Sequence, residues 1–418
     1  MNALPPRQRG SSSGSGISPR ALTLGALAIV TAVVGFAAIG DRKTPSSAVS
    51  TSSTSTFEES SSSVVSIPSP SNAAGLPALM ASPKPLPDGG LYSGRPPMFV
   101  LVSFDGAADQ SLLDHWSEVT KRAQAHMSLF LSGVYLLGPE NKTAYQGPRH
   151  AAGESGINFA PVAAGQTTVD FLTKTVNGLK DAQLAGHELG NHFGGHWCGP
   201  SGVDSWTRAD WATEVNQFDN LVNNVDANNK LTTPLGSPFI RPPIGSRTPC
   251  LEGRLEQLYP VIKARGYRYD ASGRRTLTEW PKDKSGLWQY GFPTVTIEGV
   301  SRPMLTVDFS LRENMDAGHN ADDTAAKDIS RRVYEGYKKG FDQLYYGNRA
   351  PFEVSNHFVH FTKDAYNQAV EKLLLEVCPM AEVQCVNYRE LTDWIDAHKG
   401  AVAGFEKGSF PKLAKPAA

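Results

Sequence analysis

Apolar runs and amphipathic stretches alternate along the chain from about residue 97 to about residue 397. The run 98–104 (MFVLVSF) is almost continuously apolar, which is typical of a strand buried on both faces of a parallel sheet. A polar–apolar stretch at 111–125 predicts a helix, and 127–131 predicts a second strand. The chain therefore opens its folded part with a strand–helix–strand unit.

The same alternation continues to the end of this region. Thr207 is a predicted N-cap, and the apolar positions after it recur at spacings of three and four, as on one face of a helix. A glycine-rich segment at 138–165 is predicted to be a surface loop. Further helices are predicted at 167–184, 251–262, 366–377 and 391–397, and further strands at 239–240, 267–269, 304–309, 352–355 and 383–386.

Repeated strand–helix alternation predicts an α/β fold in which helices cover a parallel sheet. With about seven such units, we expect a distorted (β/α) barrel rather than an open sheet. In a barrel of this kind the chemistry gathers on the loops that follow the carboxyl ends of the strands.

The N-terminal part of the chain has a different composition. Residues 1–20 carry three arginines, 21–40 form an uncharged apolar run, and Ser, Thr and Pro dominate 41–96. An apolar run of about 20 residues predicts a transmembrane anchor or a long signal peptide, with 1–20 in the cytoplasm. We expect 41–96 to be a disordered linker, 97–400 a folded domain outside the cytoplasm, and 401–418 a flexible tail.

Four cysteines are consistent with an exported protein, in which disulfides form. Cys378 and Cys385 are seven positions apart and would close a short local loop, so we favour that pair. Cys198 and Cys250 then remain as the second pair. Four buried free thiols are the alternative.

Histidines concentrate at 186–196 (GHELGNHFGGH). His192 and His196 are four apart, which on a helical turn would place both imidazoles on one face and within reach of one divalent ion. A structural histidine pair is the alternative at this point. Other polar side chains follow the predicted strands in the same way: Asp105, Asp109, Arg241, Arg247, Asp270, Asp308 and His357.

This ordered set resembles the polysaccharide deacetylases, the family 4 carbohydrate esterases, over about 98–397. The segments 103–106 (SFDG), 192–196 (HFGGH) and 241–245 (RPPIG) are similar to the family motifs T-F-D-D-G, H-[ST]-x-x-H and R-P-P-[YF]-G. The resemblance implies a general base at Asp105, metal ligands at His192 and His196, a groove arginine at Arg241, and a general acid at His357.

The chain departs from the family pattern at two positions. Phe193 replaces Ser or Thr, which we expect to affect packing alone, and Gly106 occupies the place of the metal-binding Asp. Asp109 is the favoured substitute ligand, Asp105 is the second candidate, and loss of the metal site is the third.

Secreted actinobacterial relatives share S-[FW]-D-G-A with an acidic residue at the position of Asp109. They also share R-T-P-C-L-E-G, found here at 247–253. This resemblance makes Arg247 a second candidate, beside Arg241, for the groove arginine.

The implied chemistry is removal of N- or O-linked acetyl groups from a cell-wall or extracellular polysaccharide, resembling peptidoglycan, chitin or xylan. The resemblance implies a divalent metal, zinc first and Co, Mn or Ni as alternatives. Asp270 or Asp308 is expected to hold the protonated His357. A net charge of −1 gives no argument for nucleic acid as a partner, and we expect a monomer. The alternative function is a catalytically impaired carbohydrate-binding domain on the same scaffold.

Overall fold

Strand β1 (Met98–Gly106) is at the centre of a mostly parallel sheet in the computed structural model, which describes residues 84–316 and 321–415. Its first eight residues are buried, as the apolar run predicts. The other strands are β2 (Met127–Leu131), β3 (Glu188–Asn191), β4 (Gly245–Ser246), β5 (Tyr269–Arg275), β6 (Lys282–Lys284), β7 (Leu287–Val295), β8 (Met304–Leu305), β9 (Phe352–His357) and β10 (Val383–Cys385).

Helices cover this sheet, and most begin where the sequence predicts. Thr207 caps its helix, and the side chains of Thr207 and Asp210 each bond the backbone N–H of the other residue. The helices are α1 (Gln110–Ala123), α2 (Thr168–Leu184), α3 (Arg208–Asn223), α4 (Val225–Asn229), α5 (Leu255–Ala264), α6 (Asp308–Met315), α7 (Asp323–Tyr345), α8 (Ala365–Val377), α9 (Tyr388–Ala397) and α10 (Val402–Glu406).

The strands β1, β2, β3, β4, β5 and β7 pair in this order, each parallel to the next, and β9 pairs in parallel with the other side of β1. Residues 304–307 lie between β7 and β9, the two strands at the ends of this order, and pair with both. Leu305 pairs with β7, and the backbone N–H of Ser355 in β9 donates to the carbonyl of Thr306 at 2.9 Å. The α/β fold class is therefore confirmed, and the sheet curls towards a barrel.

The carboxyl ends of β1 and β9 lie side by side in this sheet. Asp105 is the register partner of His357. This pairing brings two candidate catalytic residues from opposite ends of the domain to one edge of the sheet.

The strand predicted at 239–240 is wrong, because the strand at this point is Gly245–Ser246. Pro242 and Pro243 cannot donate backbone hydrogen bonds, which delays pairing until Gly245. A Cβ atom at Gly245 would lie 2.0 Å from the ring of Tyr269, so only glycine fits here. The strand predicted at 304–309 is also too long, since α6 begins at Asp308.

Two further differences concern elements that the sequence analysis did not predict. Helix α7 buries residues at helical spacing, including Ile329, Val333 and Tyr337, and this periodicity was available in the sequence. The predicted tail is also wrong in part, because α10 forms within it and Phe405 packs against Trp394 with ring centroids 5.7 Å apart.

The predicted anchor or signal peptide at 21–40 and most of the predicted linker lie outside the described residues. Within 84–316 and 321–415, no helix is both long and apolar enough to cross a membrane.

Both favoured disulfides are confirmed. Cys198 is bonded to Cys250 over a separation of 52 residues, and Cys378 is bonded to Cys385 over a separation of 7. The first ties the histidine loop, residues 192–198, to the segment after β4. The second ties the end of α8 to β10.

We expect the long-range disulfide to contribute more stability. Chain entropy predicts that removing Cys198–Cys250 by a double serine substitution costs about 4 kcal/mol, against about 2.5 kcal/mol for Cys378–Cys385. Equilibrium unfolding in urea measures both values. A larger loss from the Cys378/Cys385 variant would show that strain or packing, rather than loop length, governs the two bonds.

Candidate active site

A cavity of about 520 Å³ opens at the carboxyl ends of β1, β3 and β9. Its lining brings together most of the candidate residues: Asp105, Gly106, Asp109, His192, His196 and His357. These residues come from three separate segments of the chain, and the sheet register places their strand ends together.

Asp105 forms an ion pair with Arg247 in the floor of this cavity. Nη1 of Arg247 donates to Oδ1 of Asp105 at 2.6 Å, and the guanidinium is fully buried. Burial alone would raise the pKa of Asp105, but Arg247, with smaller contributions from His192 and His357, lowers it to about 2. Asp105 is therefore ionised at neutral pH.

The guanidinium of Arg247 makes further hydrogen bonds inside the sheet. Its Nη1 also donates to Ser355 Oγ at 3.1 Å, and its Nη2 donates to Ser103 Oγ at 2.9 Å and to the Tyr388 hydroxyl at 3.1 Å. The Tyr388 hydroxyl in turn donates to Glu353 at 3.1 Å, which gives the buried cation a second carboxylate nearby. A buried charge requires such pairing.

His357 lies at the end of β9 and is paired with Asp308. Its Nδ1–H donates to Oδ1 of Asp308 at 2.7 Å, and its backbone N–H donates to Oδ2 at 2.7 Å. Burial lowers the pKa of His357, but the charges of Asp308 and then Asp105 outweigh this effect and raise it to about 9. His357 is therefore a protonated acid at neutral pH, with its Nε2 side left for the cavity.

His192 is oriented by a backbone contact through one of its two ring nitrogens. Its Nδ1–H donates to the Arg247 carbonyl at 2.8 Å. Its Nε2 is buried and has no hydrogen-bond partner among residues 84–316 and 321–415, and Oδ2 of Asp105 lies 4.0 Å from it. Burial, the largest effect, lowers the pKa of His192. A neutral, unpaired and buried imidazole nitrogen beside a carboxylate fits a cation ligand.

His192 and His196 do not lie on a helical turn, so the expectation based on their spacing is wrong. They flank a tight loop after β3, in which Phe193 and His196 have φ values of 63° and 55°. The two rings still meet edge to face, with centroids 4.9 Å apart. Burial lowers the pKa of His196 to about 3, so this imidazole is also neutral.

A buried carboxylate on α3 holds this loop in shape. Glu214 accepts from the backbone N–H groups of Gly194 and Gly195 at 2.9 and 3.0 Å, and from the Tyr145 hydroxyl. A Cβ atom at Gly195 would lie 2.4 Å from that hydroxyl. The glycines between the histidines are thus required by close approach, and sequence analysis did not identify Glu214 or Tyr145.

Asp109 lines the cavity but also caps α1. Its Oδ1 accepts from the Leu112 N–H at 3.0 Å and from Ser111 Oγ at 2.7 Å. No hydrogen bond among the residues of 84–316 and 321–415 involves its Oδ2. Gly106 has a φ of 102°, and a Cβ atom there would lie 3.4 Å from the ring of Tyr135, so this ring lies beside Gly106.

The remaining predicted site residues lie outside this cluster. Arg241 precedes β4, whereas Arg247 follows it, so Arg241 is towards the opposite edge of the sheet and its backbone N–H bonds Gln183 at the end of α2. Asp270 accepts from Ser272 Oγ at 2.7 Å rather than from a histidine. Burial raises the pKa of Asp270 to about 6.

His187 is structural, because it is buried and its Nδ1 accepts from the Met127 N–H at 3.2 Å. Of three tryptophans on loops and strand ends, Trp206 and Trp288 are buried in the core, whereas Trp197 is partly exposed. Trp197 is therefore the one of these three placed to meet a ligand.

The imidazole nitrogens and carboxylate oxygens at this site are of the kinds that bind a divalent metal. In this structure they do not lie close enough together to contact one ion. Among the described His, Cys, Asp and Glu residues, the one trio with ligand atoms within 4.8 Å is His196, Cys198 and Cys250. These two cysteines form a disulfide, so they offer no thiolate. Nδ1 of His196 lies 3.7 Å from Cys198 Sγ, which leaves its Nε2 for the cavity.

We expect Asp308→Asn to lower the pKa of His357 from about 9 towards or below the usual value of about 6.5, because the neutral amide no longer stabilises the imidazolium. Histidine NMR titration measures this shift. Since folding raises this pKa, the stability that the pair contributes is complete below about pH 6.5 and is lost as pH rises through about 9.

The matched control is Asp364→Asn, which removes the carboxylate bonded to the exposed His360 at 2.7 Å. It should leave the pKa of His357 unchanged. An unaltered His357 titration in the Asp308 variant would contradict the assignment of Asp308 as its partner.

No protein-family model and no curated protein matches the chain. Among solved structures, it is similar to a proposed polysaccharide deacetylase from Mycobacterium smegmatis at 13% identity, over 82% of this chain and 100% of that chain, with a TM-score of 0.44. It is similar to the peptidoglycan deacetylase PdaC from Bacillus subtilis at 9% identity, over 74% and 97%, with a TM-score of 0.37. A CE4 family pseudoenzyme from Bacillus anthracis matches at 9% identity, over 72% and 67%, with a TM-score of 0.37. At these values the similarities carry no argument about activity.

Proposed function

We propose that this protein is a metal-dependent hydrolase that removes acetyl groups from an extracellular or cell-wall polysaccharide. The observation that carries this proposal is the cavity in which ionised Asp105, protonated His357 and Nε2 of His192 face one space. An ionised carboxylate and a protonated imidazole that face one space can serve as the base and the acid in hydrolysis of an amide or ester.

The residues that would hold a divalent ion are His192, His196 and the carboxylate of Asp109. Both imidazoles are neutral, and Nε2 of His192 is buried with no hydrogen-bond partner in the part of the chain that the structure describes. When bound, such an ion lowers the pKa of water and polarises the acetyl carbonyl. Zinc suits two imidazoles and one carboxylate, and Co, Mn and Ni are alternatives.

Asp105 is the proposed general base. Arg247 fixes Oδ1, so Oδ2, which lies 4.0 Å from His192 Nε2, is the oxygen that accepts a proton from water. The same guanidinium keeps Asp105 ionised before each turnover, which is why we assign Arg247 an orienting role. Removing Arg247 would leave a carboxylate at the floor of the cavity without its counter-charge.

His357 is the proposed general acid, which donates a proton to the leaving amine or alkoxide oxygen. Asp308 fixes its Nδ1–H, so Nε2–H is the bond that delivers the proton. His357 is 30% exposed, so a substrate can reach it from the cavity. The same geometry serves N-linked and O-linked acetyl groups.

Export is part of the proposal. Two disulfides are typical of proteins that fold outside the cytoplasm. The apolar run at 21–40 would anchor the chain in the membrane or direct its secretion, with 41–96 as the tether. The catalytic domain would then act as a monomer on acetylated polysaccharide outside the cell.

A second candidate function is a non-catalytic carbohydrate-binding domain on the same scaffold. It is favoured by one observation: no carboxylate joins both histidines within 4.8 Å among the described residues. Gly106 supplies no side chain there, and the Tyr135 ring lies beside it. This candidate predicts glycan binding without acetate release.

Acetate release from acetylated chitin, xylan and peptidoglycan fragments tests the first candidate. We expect release that a chelator abolishes and added zinc or cobalt restores. His192→Ala should lower both metal retention and activity by at least about a hundredfold, since even residues that merely orient a ligand contribute about 10–100-fold. His115→Ala, an exposed histidine on α1, is the matched control.

Full activity in His192→Ala would contradict the assignment of His192 as a ligand of a catalytic metal. No release by the wild-type protein under any of these conditions, together with retained glycan binding, would favour the non-catalytic domain.

Asp109→Ala tests the third ligand. If Asp109 holds the ion, the variant should lose about tenfold or more in metal affinity, measured by zinc titration against a competing chelator. It also loses the α1 cap, at a cost of about 1 kcal/mol. Asp109→Asn keeps a cap, so it separates the two effects. Wild-type metal affinity in both variants would assign the third position to Asp105.

A further inference from the structure

A second set of polar side chains lies at the rim of the candidate active site, where α1 begins beside the segment that follows β9. Ser111 is the second residue of α1 and lines the cavity. Its Oγ lies 3.3 Å from Nε2 of His360, and Nδ1 of His360 lies 2.7 Å from Oδ1 of Asp364. A hydroxyl, an imidazole and a carboxylate connected in this order have the arrangement of a serine hydrolase triad.

Asp364 fixes His360 in the tautomer that such a triad needs. Both carboxylate oxygens lie within 2.9 Å of Nδ1, and a carboxylate accepts, so the proton of the neutral ring is on Nδ1. The lone pair of Nε2 is then directed to the serine. Asp364 is itself held by the buried Asn367, whose Nδ2 donates to Oδ1 at 3.0 Å.

The turn that carries the carboxylate is strained. Thr362, Lys363 and Asp364 have φ values of 51°, 54° and 62°, and none of them is glycine. Consecutive left-handed residues persist only where the surrounding structure fixes them, and such strain concentrates at functional sites. Here Thr362 is fully buried, and its hydroxyl donates to Asp316.

The hydroxyl of Ser111 lies between two acceptors. It donates to Oδ1 of Asp109 at 2.7 Å, on the side opposite to the role that a triad gives it. Rotation about the Cβ–Oγ bond redirects the hydrogen to Nε2 of His360 without moving any heavy atom. Asp109 therefore fixes the position of Oγ, and His360 remains the neutral base beside it.

The first turn of α1 offers donors for an oxyanion. The N–H of Leu112 is bonded to the Asp109 side chain, and the N–H of Leu113 is bonded to the Asp109 carbonyl. Within 84–316 and 321–415, the backbone N–H groups of Gln110 and Ser111 have no hydrogen-bond partner. Backbone N–H groups at the start of a helix stabilise negative charge that develops on a reacting carbonyl oxygen.

We propose that Ser111 and His360, positioned by Asp364, form a second catalytic site that hydrolyses carboxylic esters without a metal. The proposal goes beyond the proposed function, because no step needs the divalent ion or the pair of Asp105 with Arg247. Esters are the expected substrates rather than amides, since an alkoxide leaves a tetrahedral intermediate more readily than an amide nitrogen does.

The reaction has two halves. Ser111 Oγ bonds to the ester carbonyl carbon while its proton passes to Nε2 of His360, and the departing alkoxide takes that proton as its C–O bond breaks. Water then bonds to the carbonyl carbon of the acyl-serine and gives one proton to His360. The bond from the acyl carbon to Oγ breaks, the carboxylic acid leaves, and Ser111 regains the proton from His360.

Hydrolysis of p-nitrophenyl acetate in excess chelator tests the proposal. We expect the wild-type protein to retain activity under these conditions. Ser111→Ala and His360→Ala should each lower the chelator-resistant kcat/KM by about a hundredfold or more, because proton transfer by a positioned base contributes about 10²–10⁴-fold. An alkyl fluorophosphonate should lose fluoride to form an Oγ–P bond at Ser111, located by mass spectrometry.

The matched control is His115→Ala. His115 is also an exposed histidine beside a carboxylate, with its Nε2 3.3 Å from Glu371, but it has no serine partner among the described residues. This variant should keep the chelator-resistant activity. Complete loss of the wild-type activity on chelation, or equal activity in Ser111→Ala and wild type, would overturn the proposal.

His360→Ala separates this site from the proposed deacetylase, because it leaves both hydrogen bonds of Asp109 in place. Acetate release from polysaccharide that a chelator abolishes should be unchanged in this variant, while the chelator-resistant ester hydrolysis is lost. If the wild-type protein releases no acetate from polysaccharide, chelator-resistant hydrolysis that depends on Ser111 would still support the second site.

Discussion

The candidate active site depends on one buried ion pair, that of Asp105 with Arg247. A guanidinium at 0% exposure inside a sheet is costly unless every donor is used. Here it is bonded to Asp105, to two serines and to Tyr388, and the Phe130 ring lies 4.1 Å from it. The pair therefore joins the interior of the sheet to the floor of the cavity, and it keeps Asp105 ionised.

The other components are arranged around this pair in opposite electrostatic environments. Asp308 keeps His357 charged, whereas burial keeps His192 and His196 neutral. One cavity consequently holds the anionic Asp105, the cationic His357 and two neutral imidazoles. Glu214 contributes from outside the cavity, because it shapes the loop between the two histidines.

Much of this architecture follows from sequence periodicity, and the rest depends on contacts between distant segments. The apolar run at 98–104 and the cap at Thr207 predict their elements well because burial and capping are local properties. The sequence alone could not show whether Arg241 or Arg247 lies at the site, because that depends on where β4 begins, at Gly245. Glu214 gave no local signal, because its partners are backbone groups about twenty positions away.

The most direct test of the central claim is a structure of the protein soaked with zinc, with anomalous scattering used to locate the ion. The account predicts one ion at about 2.0–2.1 Å from Nε2 of His192, with His196 and one aspartate completing the site. A site without anomalous signal at saturating zinc, with Nε2 of His192 still unpaired, would contradict metal-dependent deacetylation.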